Sequence, residues 1–220
     1  MKPGEKFELE ALNYLVRNFS SKSVSFFHGK TSDSTRSDIE VRIDGRTAFF
    51  IEAKDTAAQS GQFVLIPDTE NKIFNFSPRN KSIQNEFTFM IINHMNYNFD
   101  RYNSAGTRGE KIEIDTDIFA DWIMDYYAHK NAAFFITKKN DFIIFPTERL
   151  KHYLKISAKF RIKKSGSSEP SRKYTDAVKN IISAEYPSTQ FFNNGKKLFA
   201  DIPETVSDVR FSLQKYDYIL

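Results

Sequence analysis

The stretch from Ser37 to Lys54 constrains this chain most. It reads Ser-Asp-Ile-Glu-Val-Arg-Ile-Asp-Gly-Arg-Thr-Ala-Phe-Phe-Ile-Glu-Ala-Lys. Two short β-runs flank Asp44-Gly45, a dipeptide suited to a tight hairpin because both residues tolerate positive φ. Ala48-Phe49-Phe50-Ile51 is wholly apolar, so the second strand is expected to be buried on both faces. Glu52 and Lys54 close that strand, and residues two apart on a strand share a face. A carboxylate and an ammonium at the end of a buried strand are costly unless they are paired or bind something. With Asp38 at the head of the first strand, they are expected to hold a divalent metal.

Register sets a condition on that expectation. A two-residue turn pairs Ile43 with Arg46, and hence Asp38 with Ile51. Strict alternation would then turn Asp38 to the face opposite Glu52 and Lys54. The site forms only if the pairing slips by one residue, through a glycine bulge at Gly45 or a kink at Asp38.

The spacing around the hairpin predicts alternating helices and strands. Leu12, Leu15, Val16 and Phe19 form a helical stripe over residues 5–19. Projected back one turn, the stripe reaches Glu8, which either joins the site or only borders the stripe. Residues 24–27 and 63–66 are strand candidates, and 67–80 read as an extended loop rich in turn residues. A second helix is expected over 82–95, with His94 on its apolar face as a core histidine, and a loop over 97–110. Asp115 or Thr116 caps a third helix whose core face is Ile118, Trp122, Ile123 and Tyr126. Strands follow at 134–137, 142–145 and 158–162, with a short helix from 146 to 154 between the last two. A helix spans 175–185, and the last 35 residues read as irregular apart from a strand near 209–213. The expected class is α/β, with a central mixed β-sheet flanked by helices. At 220 residues one domain is expected, with a core over about 4–165 and a C-terminal part over about 160–220.

Asp38 and Glu52 carry the chemistry that phosphodiester hydrolysis needs. Carboxylates hold a divalent ion, and a nearby cation stabilises developing charge. Mg²⁺ prefers a few carboxylates plus water and phosphate oxygens, so Asp38, Glu52 and the carbonyl of Ala53 suffice. Lys54 beside them orients or polarises the attacking water. An acid followed by Glu-x-Lys is a weak pattern, and Asp55 with Glu70-Asn71-Lys72 satisfies it too. That second match lies in turn chemistry, whereas Glu52 closes a hydrophobic strand.

These residues resemble the PD-(D/E)xK nuclease superfamily, which includes most type II restriction endonucleases. Gly4-Glu5-Lys6-Phe7-Glu8 resembles the first-helix signature of Mrr-like members, in which a glutamate joins the metal site. Ser37-Asp38-Ile39 resembles the setting of the first acid, with Ser37 where a proline is usual. Gln59-Ser60-Gly61-Gln62-Phe63 and Arg161-Ile162-Lys163-Lys164-Ser165-Gly166-Ser167 also look like restriction-enzyme segments. The resemblance spans roughly Gly4 to Ser168 as scattered motifs. It implies a metal site at one sheet edge, with Asp38, Glu52, Lys54 and Glu8 catalytic. It also implies Mg²⁺ dependence (Mn²⁺ as a substitute), cleavage to 5′-phosphate and 3′-hydroxyl ends, and a homodimer matched to a palindromic site.

Charge distribution agrees with a polyanion partner. Residues 151–180 hold nine Lys/Arg and two acids, a local net of +7, so the overall +4 leaves about −3 elsewhere. Such a strip is either a binding surface or a solvated face. For double-stranded DNA the candidates are Lys30, Arg36, Gln62, Arg161, Lys163, Lys164, Ser165 and Ser167, whose cations, amide and hydroxyls suit phosphates or base edges. Cysteine is absent, which excludes disulfides, Cys-ligated zinc and a cysteine nucleophile. There is no signal-peptide core and no run long enough to span a bilayer, so a cytoplasmic protein without membrane attachment is expected. Gly29-Lys30-Thr31 lacks the upstream glycine of a phosphate-binding loop, so no nucleotide cofactor is expected. The alternatives are a less specific nuclease of repair or junction resolution, and a non-catalytic DNA-binding module.

Overall fold

Ile39–Ile43 and Arg46–Ala53 form the expected hairpin, closed by Asp44 and Gly45 at φ 49° and 77°. The computed structural model describes residues 3–29, 37–55, 59–78, 80–82, 84–162, 166–168, 175–195, 197–202 and 207–215. In chain order these are α1 (Pro3–Phe19), β1 (Val24–His28), β2 (Ile39–Ile43), β3 (Arg46–Ala53), β4 (Gln59–Asp68), β5 (Ile73–Phe76), α2 (Glu86–Tyr97), α3 (Phe99–Asn103), β6 (Glu110–Lys111) and α4 (Thr116–Ala128). Then come β7 (Ala132–Lys138), β8 (Phe142–Pro146), a 3-10 turn (Thr147–Arg149), α5 (Leu150–Tyr153), β9 (Leu154–Ile162), β10 (Gly166–Ser168), α6 (Thr175–Glu185), β11 (Gln190–Asn194), β12 (Lys197–Ile202) and β13 (Ser207–Lys215).

The fold is mixed α/β. Its central sheet has the order β1-β2-β3-β7-β8. β3 and β7 run parallel and the other neighbours antiparallel, so the sheet is mixed as expected. One face is covered by α1, whose Phe7, Ala11 and Leu15 pack on Ile39, Val41, Ile51, Ala53 and Ile136. On the other face Phe135 enters a larger core with Trp122 and Tyr127 of α4 and Phe63, Phe160 and Phe211 beyond them. That two-sided cover explains the unbroken apolar run of β3. Alternation along β3 sends Ile51 and Ala53 toward α1 and Glu52 toward α4.

A second, antiparallel sheet has the order β5-β4-β13-β9-β6. Trp122 is its anchor. The indole is 1% exposed, stacks on Phe211 at 4.2 Å and donates Nε1–H to Thr88 Oγ1 at 2.9 Å. Thr88 also belongs to the capping box with Asn85 that starts α2. Asp115 caps α4 as expected, accepting from Asp117 N at 3.0 Å. A three-stranded sheet, β10-β12-β11, completes the described chain, and α6 packs its Ile182 with Ala200 of β12 and Val64 and Ile66 of β4.

Several local expectations change. Residues 67–80 are not one loop: β4 continues through Pro67, which pairs with Phe74 of β5. Asp68 organises the turn between them by accepting from Glu70 N and Asn71 N. Residues 97–110 contain α3, whose Phe99 and Tyr102 are buried. The core face of α4 is rotated: Phe119, Ala120, Trp122, Ile123 and Tyr127 are buried, while Ile118 and Tyr126 sit at its border. Among the described residues of the last 35 there are three strands, β11, β12 and β13, rather than one.

Candidate active site

The hairpin carries the irregularity that the site requires. Ile43 pairs with Arg46 and Arg42 with Thr47, but Val41 then pairs with Phe49, Glu40 with Phe50 and Ile39 with Ile51. Ala48 is therefore an extra residue on β3. The bulge lies there, not at Gly45 or Asp38, and it brings Asp38 across from Glu52 on one face.

Asp38 lies just before β2 and folds back over the end of β3. Its Oδ2 accepts from Ala53 N at 3.0 Å and from Lys54 Nζ at 3.3 Å. Gly29 permits this approach: its N–H donates to the Asp38 carbonyl at 2.7 Å, and a Cβ there would meet the Ser37 carbonyl oxygen at 2.5 Å. Lys54 Nζ also contacts Glu52 Oε1 at 2.5 Å. One ammonium thus bridges two carboxylates. Lys54 N donates to Ile136 O at 3.0 Å, which anchors this corner to β7. Glu52 is 3% exposed, Lys54 18% and Asp38 20% at the side chain.

The charge balance sets the protonation states. Burial, then the neighbouring Glu52 carboxylate, push Asp38 up to about 7 against the pull of Lys54. Burial alone would raise Glu52 as well, but the ammonium groups of Lys54 and Lys130 outweigh it and hold Glu52 below its ordinary value. Burial would lower Lys54, yet the carboxylates of Glu52, first, and Asp38 keep it well above the ordinary lysine value. At neutral pH the site therefore holds a charged Lys54, a charged Glu52 and a half-titrated Asp38. Glu52 Oε2 and the Ser37 hydroxyl are both buried, and among the described residues neither makes a hydrogen bond of ordinary geometry, although Ser37 lies near enough to help hold Glu52 below its ordinary value.

Glu8 projects from α1 to His28 Nε2 at 3.3 Å, and its charge reaches Asp38. It does not close a three-acid cluster: among the described residues no three His, Cys, Asp or Glu side chains are grouped to hold a metal. The competing Glu70-Asn71-Lys72 match lies exposed in the β4–β5 turn, with Lys72 paired to Asp100. His94 sits half-buried against the Tyr102 hydroxyl at 3.1 Å, consistent with a packing role.

Of the residues expected to contact DNA, Gln62 is exposed on β4 and accepts from Gln59 Nε2 at 3.0 Å. Arg161 on β9 donates to Asp208 Oδ1 at 3.0 Å, and Arg210 donates to Asp208 Oδ2 at 3.0 Å. Asp208 is fully buried, so both guanidinium groups are held in place from beneath. Ser167 lies on β10, opposite Asp201. Lys30, Arg36, Lys163, Lys164 and Ser165 lie outside the described residues. The sequence assigns no role to Asp208, Arg210, Lys130 or Tyr127, and none to Ser60 beyond its place in the Gln59–Phe63 segment; tertiary pairing alone brings Asp208 to Arg161 and Tyr127 to Ser60. A cleft of about 790 Å³ between α4 and the start of β7 is lined by Phe87, Met124, Ala128 and Phe134 and by none of the site residues.

No family model matches the chain, and no curated protein matches it. Among solved structures, HhaI endonuclease in complex with DNA aligns over 98% of this chain and 92% of its own, with a TM-score of 0.76 and 31% sequence identity. HhaI endonuclease is a type II restriction enzyme. Full-length agreement at that identity extends beyond a shared architecture, and the chain belongs to the restriction-endonuclease family of HhaI endonuclease.

Proposed function

We propose that this protein is a Mg²⁺-dependent, site-specific endonuclease of double-stranded DNA, a type II restriction enzyme using PD-(D/E)xK chemistry. The observation that carries the reading is the Lys54 ammonium bridging Asp38 and Glu52 at the buried end of β3, where Glu52 Oε2 makes no hydrogen bond of ordinary geometry among the described residues. Support for the substrate class comes from HhaI endonuclease, solved in complex with DNA. No described helix is long and apolar enough to cross a membrane.

The residues fit a magnesium ion. Two carboxylates and a strand-end carbonyl match its preference for few protein ligands plus water and phosphate. Asp38, Glu52 through Oε2, and the Ala53 carbonyl would hold it. When bound, the ion supplies Lewis acidity, neutralising phosphate charge and acidifying a water. Lys54 contributes a fixed ammonium, kept charged by Glu52, that orients the attacking water and offsets the charge growing on the phosphate. Asp38 anchors the end of β3 through Ala53 N–H and loses its proton as pH rises through about 7, so metal affinity is expected to rise over the same range. Water attacks phosphorus and the bond to the 3′ oxygen breaks. The water's proton passes to solvent and the 3′ oxygen gains one, leaving 5′-phosphate and 3′-hydroxyl ends.

Incubating the protein with phage lambda DNA and Mg²⁺, with and without EDTA, tests the reading. Discrete fragments that EDTA abolishes support it. A smear, or a preference for branched DNA, favours a less specific nuclease, and intact DNA refutes catalysis. A homodimer would offer one such site to each strand of a palindrome. Sedimentation on cognate DNA checks this; a chain that stays monomeric must cut the strands in turn and accumulate nicked DNA.

A further inference from the structure

Tyr127 on α4 and Ser60 on β4 meet on the α4 side of the central sheet, the side to which Glu52 points. Their hydroxyls are 2.7 Å apart, and the residues are 2% and 1% exposed. The charges of Glu52 and Lys54 both reach the Tyr127 phenol. A phenol buried beside an ion pair must satisfy its hydroxyl. Here Ser60 satisfies it, from the other sheet. The ring is fixed edge-on to Phe135 at 4.9 Å and to Tyr126 at 5.0 Å, and Phe135 is the register partner of Glu52 in the parallel pair. Lys130 Nζ lies 4.5 Å and 5.3 Å from the centres of the Tyr126 and Tyr127 rings.

Ser60 is aimed inward by a bulge. Gln62 pairs with Arg210 and Gln59 with Ser212, so Ser60 and Gly61 stand across from Phe211 alone. Gly61 takes φ +83°, and a Cβ there would lie 2.7 Å from Trp122 Cζ3. The bulge therefore cannot slide along β4 without displacing the central indole of the core.

We propose that Tyr127 is a positioning residue for the Glu52–Lys54 pair and that Ser60 orients it, so that the second sheet braces the catalytic edge of the central sheet. The inference rests on the nuclease reading above. The brace fixes where the carboxylate and ammonium stand, and small displacements of reacting groups are expensive in rate, with about 1 Å able to cost on the order of 100-fold. The two hydroxyls act as one unit, so their losses are not additive.

The test compares wild type with Tyr127→Phe, Ser60→Ala, the double variant and Ser60→Thr. It measures single-turnover cleavage in Mg²⁺, DNA affinity in EDTA and the melting temperature of each. The expected result is a loss of roughly 10- to 100-fold in cleavage rate for each single variant, by the positioning argument. The double variant should be no slower than the worse single one, DNA affinity should be unchanged, and Ser60→Thr, which keeps a hydroxyl, should recover the rate. Wild-type rates in Tyr127→Phe and Ser60→Ala would overturn the inference and leave the nuclease reading standing. So would a slow Ser60→Thr that melts like wild type. A wild type that never cuts would overturn both.

Discussion

Replacing Asp38 by Asn removes a carboxyl group that the folded protein holds near pKa 7, against 3.8 ordinarily, because burial and then Glu52 disfavour its charge. The folded state thus keeps the Asp38 proton where the unfolded chain has lost it. Between about pH 4 and pH 7 the native state binds more protons, so the metal-free protein loses stability as pH rises across that window. A shift of about three units corresponds to at most about 4 kcal/mol. Asp38 is 20% exposed at the side chain and shares its titration with Glu52, so about 2 kcal/mol is the working figure. Asn keeps an oxygen for the Ala53 N–H and has no proton to lose. The assay is urea unfolding in EDTA at several pH values from 5 to 8, reading the difference between variant and wild type so that groups not coupled to Asp38 cancel. About two of the three units fall between pH 5 and pH 8, so that difference should move in favour of the Asp38→Asn variant by about 1.3 kcal/mol over that range. Millimolar Mg²⁺ at pH 8 should stabilise wild type and leave Asp38→Asn unchanged. A difference that stays flat with pH would refute the assignment of Asp38 as the strained acid of the site.

Further outcomes follow from single contacts. Gly61→Ala forces a side chain into positive φ and against Trp122, and should destabilise the fold by about 2–3 kcal/mol in urea unfolding. Asp208→Ala leaves Arg161 and Arg210 without their shared buried carboxylate; a loss of about 3 kcal/mol is expected in thermal or urea unfolding.

The hairpin was legible because Asp44-Gly45 and the apolar run before Glu52 are local signals. The demand for a register irregularity followed from period-two alternation alone. Its place did not, because Ala48 inside an apolar run looks like any other strand residue. Local turn chemistry misled the reading of 67–80: Pro67, Asp68 and Asn71 signal a turn, and the strands on either side are visible only once β13 and β9 extend the sheet beside them. On α4, Tyr126 and Tyr127 are chemically alike, and only Phe135 and Ser60 decide which is buried. Asp208 and Arg210 alternate with Val209 and Phe211 as a half-exposed strand would, and nothing local says that Arg161 comes to the same carboxylate.

The central claim is that Asp38, Glu52 and Lys54 form a metal-dependent catalytic site for DNA cleavage. Its most direct test measures cleavage and DNA binding side by side for wild type, Asp38→Ala and Lys54→Ala. Wild type should cut in Mg²⁺ and stop in EDTA, while both variants bind DNA and leave it intact. Cleavage by both variants at the wild-type rate would contradict the account.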